Sequence, residues 1–274
     1  MALSDHLVRA VGGRFPAGLT PVATAAGLGR GLDLAILRLG AGESFEDASP
    51  LETAWVLLEG AAEVVFGERG AAVRRASLFD EPPTALHAAA GERVVWRSGA
   101  TGAEWAVVRT ANERRFAARL FTPDESKPEY RGAGLVQNAA LRNVRLIFDR
   151  ANRPEANLVV GEVVNYPGRW SSYPPHHHDQ PEIYHYRFSA PNGYGHAELG
   201  DEVLKVRHGD TVAIPPGLDH AQVAAPGYGM YYLWMICHLP GNPYTGFTFA
   251  DEHQWTLDPR QQGWRPADLP SGLS

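Results

Sequence analysis

Residues 168–182, GRWSSYPPHHHDQPE, and residues 209–220, GDTVAIPPGLDH, decide how this chain is read. On an extended strand, side chains two apart share a face, so His176 and His178 point one way and His177 the other. Glu182, four residues on, keeps the same parity if the intervening Asp-Gln-Pro does not bulge. A fourth partner has to come from another strand, and the second stretch supplies it. There a Gly-Asp turn, a hydrophobic strand and a Pro-Pro-Gly turn deliver His220 to a strand end. Neighbouring histidines alone are as common on a wet surface as in a site; two separated stretches matching together favour a site. Three imidazoles and one carboxylate suit a borderline divalent ion such as Zn, Mn, Fe, Ni or Co and do not choose among them. His176, His178, Glu182 and His220 are therefore the expected metal ligands, and an open coordination position would make the ion catalytic.

Outward from these stretches the chain is a series of short apolar runs broken by Gly and Pro. From about Leu141 they are NVRLIF, NLVVGEVVNYPG, EIYHYRFS, TVAIPPG and GMYYLWMI; over residues 35–110 they are LAILRLG, AWVLLEG, AAEVVFG, RVVWRSG and EWAVVRT. Such lengths and turn residues predict antiparallel strands of a sandwich or barrel, an all-β fold. Between the halves, ERRFAARLF fits a short helix and TPDESKPEYRGAG is polar and turn-rich. The expected organisation is a first barrel over 1–111 without paired histidines, a partly helical linker over 112–140, and a second, metal-binding barrel over 141–274.

The 274 residues suffice to bury two compact cores, and 44% hydrophobic with 20% charged residues is the balance of a soluble globular protein. No run of about eighteen apolar residues and no secretory leader is evident, so no membrane partner and a cytoplasmic location are expected. The net charge of −6 argues against a nucleic-acid partner. The single cysteine, Cys237, reads as a buried structural thiol. Lysine occurs only at 127 and 205, leaving arginine to hold any anion. His185, His196, His208, His238 and His253 have no partner spacing and read as turn, surface or packing residues.

The pattern HxHxxxE followed by GxxxxxPxGxxH resembles the two signature motifs of the cupin superfamily, which implies a bicupin: two β-barrel (jelly-roll) domains in one chain. More narrowly, NLVVGEVVNYPGRWSSYPPHHHD, EIYHYRF and AAPGYGMYYLWMI resemble the 5-deoxy-glucuronate isomerases of inositol catabolism, relatives of the 4-deoxy-uronate isomerases of pectin breakdown. ETAWVLLEGAAEVVFG and SLFDEPPTALHAAAGERVVW extend the likeness to residues 30–255. The resemblance implies a metal-dependent aldose–ketose isomerase that turns 5-deoxy-glucuronate, a small anionic sugar acid, into 5-dehydro-2-deoxy-gluconate. Glu182 is then a candidate base, Tyr184 or Tyr186 a proton relay, and Arg187 the first candidate for the substrate carboxylate, ahead of Arg169 and Arg142. Tyr228, Tyr231 and Tyr232 would line the pocket mouth or pack. The sequence departs from the family at His177, at a shorter loop before Glu182, at Gly217-Leu-Asp-His220 and at Trp234, and the shorter loop beside the metal would alter pocket shape. Other readings of the same ligands are a related uronate isomerase, an iron-dependent dioxygenase or a non-catalytic sugar-binding cupin. A homodimer paired through barrel edges is the expected assembly.

Overall fold

The strand Met230–Cys237, MYYLWMIC, shows no apolar–polar alternation because both faces of its sheet are covered. In the computed structural model, which describes residues 3–266, Tyr231, Leu233, Met235 and Cys237 pack on one face against Leu34, Ile36, Val56 and Val108 of the first half. On the other face Tyr232 joins Tyr184, Tyr186 and Val212 inside the second half, with Trp234 packed against them. One sheet thus serves as a wall of the second barrel and as the seam between halves.

The second half is two facing antiparallel sheets. The seven-stranded one runs, in spatial order, Leu7–Val8, Thr211–Ile214, Glu182–Phe188, Met230–Cys237, Leu158–Asn165, Arg142–Phe148 and Glu129–Arg131. The five-stranded one runs Glu202–Arg207, Tyr194–Leu199, His220–Ala224, Trp170–His177 and Thr248–Phe249. The first half is one eight-stranded antiparallel sheet threaded by two long strands, Glu52–Phe66 and Val94–Thr110. Their register shifts between Leu57 and Ala62, and the inward parity changes with it: Trp55 and Leu57 face the interior before the shift, Ala62 and Val64 after it. The bend requires glycine at 60, where φ is +99° and a Cβ would lie 2.3 Å from the Gly102 carbonyl oxygen. Trp55, Trp96 and Trp105 fill the interior, with ring centroids 6.4 Å and 5.0 Å apart along the series.

Three sequence expectations need correction. ERRFAARLF forms no helix; its end is the strand Arg119–Phe121, which extends the first sheet by pairing with Ala85–Ala88. Arginines 114 and 119 there bind carbonyls of Pro154 and Asn152, interactions that an isolated helix reading does not include. The polar stretch after it contributes Glu129–Arg131 to the second half, and Leu7–Val8 crosses from the N-terminus to pair with Val212 and Thr211. Segments on both sides of the expected boundaries are therefore shared between halves. Residues 267–274, placed in the second half by sequence, lie outside the described residues. Cys237 is buried, and burial pushes its thiol pKa up to about 11, which suits the expected structural thiol. Among the described residues no helix is long and apolar enough to cross a membrane.

A carboxylate sits in the apolar seam. Glu162 is fully buried and accepts from Arg75 at 2.7 and 3.0 Å, from Arg145 at 3.1 Å and from the Tyr231 hydroxyl at 2.9 Å. Arg75 belongs to the first half and the other three to the second. Glu52 anchors a second crossing: it accepts from His87 and Asn112, and from the backbone N–H groups of Asn157 and Leu158. Removing one member of such a buried set strands the remaining charges. Glu162→Gln is expected to lower unfolding free energy by about 3–5 kcal/mol in a denaturant titration. Gly161, its neighbour, faces Trp234 across the sheet, and a Cβ there would lie 2.3 Å from the indole. Gly161→Ala is expected to cost about 1–3 kcal/mol by overpacking, and tryptophan emission will shift as the Trp234 ring is displaced.

Candidate functional site

The strand Trp170–His177 ends the five-stranded sheet's approach to the site, and the chain then turns through Asp179–Pro181 to open Glu182–Phe188 in the facing sheet. His178 lies in that turn. Glu182 thus meets the histidines because the chain changes sheets, whereas the sequence reading relied on shared strand parity. His220 opens its own strand directly opposite His176. Glu182 Oε2 is 3.1 Å from His178 Nε2 and 3.3 Å from His220 Nε2, and one donor atom from each of the three residues lies within 4.8 Å of the others. His176 adjoins this trio, its ring centroid 4.5 Å from that of His220.

The donor chemistry fits a cation. His220 Nδ1 is 3.1 Å from the Leu218 carbonyl, to which it can only donate. That fixes the tautomer and leaves the Nε2 lone pair free; this atom is buried and, among the described residues, has no hydrogen-bond partner. His176 is arranged alike, with Nδ1 at 3.2 Å from the Ser172 carbonyl. Burial, and after it the neighbouring His220, push the His176 pKa down to about 3, so its imidazole is neutral. Burial alone would raise the Glu182 pKa; the adjacent His178 and His220 imidazoles outweigh it and keep the carboxyl well below its usual range. His177 points away, as expected, with Nδ1 2.8 Å from Asp219 Oδ1.

His176, His178 and Glu182 open on a cavity of about 250 Å³. One wall is the inner face of the seven-stranded sheet, read off by alternation: Arg142, Val144 and Leu146; Val159 and Val163; Tyr232 and Trp234; Glu182 and Tyr184. His176 and His178 stand on the other side, and the segment Tyr244–Phe249 contributes two phenylalanines and Tyr244, whose ring centroid is 4.9 Å from that of His178. The Tyr184 and Tyr232 rings stack at 4.6 Å. Their hydroxyls are each 3.3 Å from Ser172 Oγ, and Tyr232 also meets Ser171 Oγ at 2.5 Å. Burial, and after it the Glu182 charge, raise the Tyr184 pKa well above the ordinary phenol range, so this hydroxyl is a proton donor at neutral pH.

The structure does not bring Arg187 to the cavity. It lies five residues from Glu182 on the same strand, an odd offset that turns it to the seam face, where it pairs with Glu104 of the first half and donates to His185 Nε2 at 3.1 Å. Tyr186 shares the face of Glu182 but lies deeper, its hydroxyl donating to Gln222 Oε1 at 2.6 Å. Tyr231 is committed to Glu162 and Tyr228 to Asn192. Arg169 binds the Gln137 carbonyl. Of the arginines weighed from sequence, Arg142 is the one that lines the cavity, and Arg131 stands beside it. Sequence reasoning missed Arg131, Ser172 and the Tyr244–Phe249 segment. Arg131 sits in a stretch read as linker, and the others carry no spacing signal. His185, His196, His208, His238 and His253 all lie away from the cavity lining.

The KduI/IolB family model matches residues 17–256. A 5-deoxy-glucuronate isomerase of Geobacillus kaustophilus (strain HTA426) is 31% identical over 202 residues, 67% of this chain and 69% of that protein. A 5-deoxy-glucuronate isomerase of Geobacillus thermodenitrificans (strain NG80-2) is 32% identical over 175 residues, 58% of this chain; the matched region spans 60% of that relative's length. Among solved structures, an IolB-like protein from Salmonella typhimurium LT2 superposes with a TM-score of 0.78 at 25% identity, covering 89% of this chain and 97% of that one. The oxalate decarboxylase of Lactobacillus farciminis superposes at 0.64 with 13% identity, covering 87% and 86%, a likeness of fold alone. The two-barrel cupin architecture expected from the motifs is thus the fold observed, and with a family model matched over most of its length the chain belongs to the KduI/IolB family.

Proposed function

We propose that the protein is a metal-dependent aldose–ketose isomerase acting on a small sugar acid, with 5-deoxy-glucuronate as substrate and 5-dehydro-2-deoxy-gluconate as product. The names of its relatives support this substrate. The observation that carries the reading is the buried, unpartnered His220 Nε2 facing Glu182 and His178 at the edge of a cavity that also holds an arginine. His178, Glu182 and His220 would hold a divalent ion, with His176 as the fourth ligand. A divalent ion there supplies Lewis-acid polarisation of a carbonyl.

The isomerisation moves one proton from the hydroxyl-bearing carbon to the adjacent aldehyde carbon and one from the hydroxyl to the carbonyl oxygen, with no net oxidation. Glu182, swinging off the ion, would take the carbon-bound proton and return it to the neighbouring carbon. Tyr184 and Tyr232, linked through Ser172, donate hydrogen bonds to oxygen and can pass the second proton. Trp234, Phe247 and Phe249 keep water from the reacting carbons.

In metal analysis after chelation and reloading with Mn or Zn, His178→Ala and His220→Ala are expected to weaken retention by more than about 100-fold, while His177→Ala retains the metal. Incubation of the reloaded protein with 5-deoxy-glucuronate in deuterated water is expected to give product carrying deuterium at the carbon that receives the proton, read by NMR. Absence of turnover in a fully metallated sample would overturn the substrate assignment. Tyr184→Phe is expected to lower kcat by about 10²–10⁴-fold without loss of metal.

A further inference from the structure

The cavity wall opposite the histidines carries a charge that the fold does not use. Arg142 and Arg131 are direct partners across adjacent antiparallel strands and both line the cavity. Like charges placed directly opposite are destabilising unless something compensates them. Arg131 has compensation: Glu129 Oε2 accepts from its Nε at 2.9 Å and lies 2.8 Å from its terminal nitrogen. Arg142 has none of this kind. The one hydrogen bond of its side chain among the described residues goes to the carbonyl of Ala140, two residues away, at 2.9 Å. That bond ties no other element to the arginine, so a purely structural role leaves most of its five donors without purpose.

The other charged groups on the cavity wall do not neutralise it. Glu182 is engaged by His178 and His220, and Asp149 accepts from the backbone N–H of Ala151 at 2.8 Å within a turn. Burial, with Arg131 adding to it, pulls the Arg142 pKa down from its ordinary value. A half-buried guanidinium that faces a cavity and lacks a carboxylate partner is arranged to receive an anion.

We propose that Arg142 is the anion anchor of the cavity, gripping the carboxylate of a sugar acid whose reacting end lies toward His178, Glu182 and His220, and that it makes the site select acids over neutral sugars. Arg131 flanks it and holds the rim. The inference rests on the isomerase reading for the identity of the reacting end, and it moves the carboxylate subsite from Arg187, which is occupied by Glu104, to the strand Arg142–Phe148. The carboxylate accepts from donors of Arg142 that the fold leaves unused and fixes the substrate's orientation, so the loss of this arginine penalises acids and leaves neutral analogues untouched.

The test compares wild type with Arg142→Met and Arg142→Lys in two measurements. In the first, kcat/KM is determined for 5-deoxy-glucuronate and for 5-deoxy-glucose, which carries a hydroxymethyl group in place of the carboxylate. Arg142→Met is expected to lose about 10- to 100-fold on the acid, mostly in KM, with the neutral sugar unchanged, and Arg142→Lys to lose less. An equal loss on both sugars would overturn the anchor. The second measurement does not need turnover: calorimetric titration of the metal-loaded protein with glucuronate and with glucose. Wild type is expected to bind glucuronate at least about 10-fold more tightly than glucose, and Arg142→Met to abolish that preference. A wild-type protein without the preference, or a variant that keeps it, overturns the proposal. If wild type does not isomerise 5-deoxy-glucuronate yet shows an Arg142-dependent preference for glucuronate, the isomerase reading fails and the anchor stands. Should Arg142→Met not fold, the acid-specific loss in Arg142→Lys decides.

Discussion

Glu162 holds the molecule together at the place where separation would be most costly. It lies in an apolar seam with no contact with water, and its oxygens are taken by Arg75 from one half and by Arg145 and Tyr231 from the other. A carboxylate so placed is tolerable only while both guanidinium groups are present. Parting the halves therefore breaks both Arg75 contacts and leaves Glu162 with Arg145 and Tyr231 alone. The strand that carries Glu162 on its seam face carries Val159, Gly161 and Val163 on its cavity face, so the contact that fixes the two barrels also fixes one wall of the site.

The opposite wall is set by how the chain leaves the five-stranded sheet. His176 and His220 are held in register as neighbours, His178 lies in the turn that follows, and Glu182 begins the first strand of the other sheet. Backbone carbonyls of Leu218 and Ser172 face the Nδ1 atoms of His220 and His176. The imidazoles are thereby oriented by rigid strand ends before any ligand arrives, which is the preorganisation a catalytic centre needs.

How much of this was legible in the sequence depended on whether a residue's partners were near it in the chain. The histidines and Glu182 could be read because turn chemistry and spacing are local, although the geometry that joins Glu182 to them is a change of sheet. The barrels could be read from strand-length apolar runs. Arg187 was misread although period-two alternation, applied from Glu182, turns it to the opposite face. Arg142 and Arg131 could not be singled out, because their meaning arises from a pairing between two strands, one of which hid in a polar stretch taken for linker. The ERRFAARLF segment fits a helix by pattern, yet its arginines find carbonyls of the second half and its end finds an open sheet edge. Tertiary partners outweighed local propensity there.

The two barrel interiors face opposite demands. Trp55, Trp96 and Trp105 leave the first one full, at the cost of three buried indole N–H groups without hydrogen-bond acceptors among the described residues. Close packing there opposes any loss of volume. The second interior must keep a hollow beside Trp234, and it does so by having no side chain at Gly161. The same kind of mutation therefore has opposite meanings in the two barrels: trimming a large residue threatens the first, whereas enlarging a small one threatens the second. A chain built of two like modules is in this way constrained by a minimum of bulk in one and a maximum in the other.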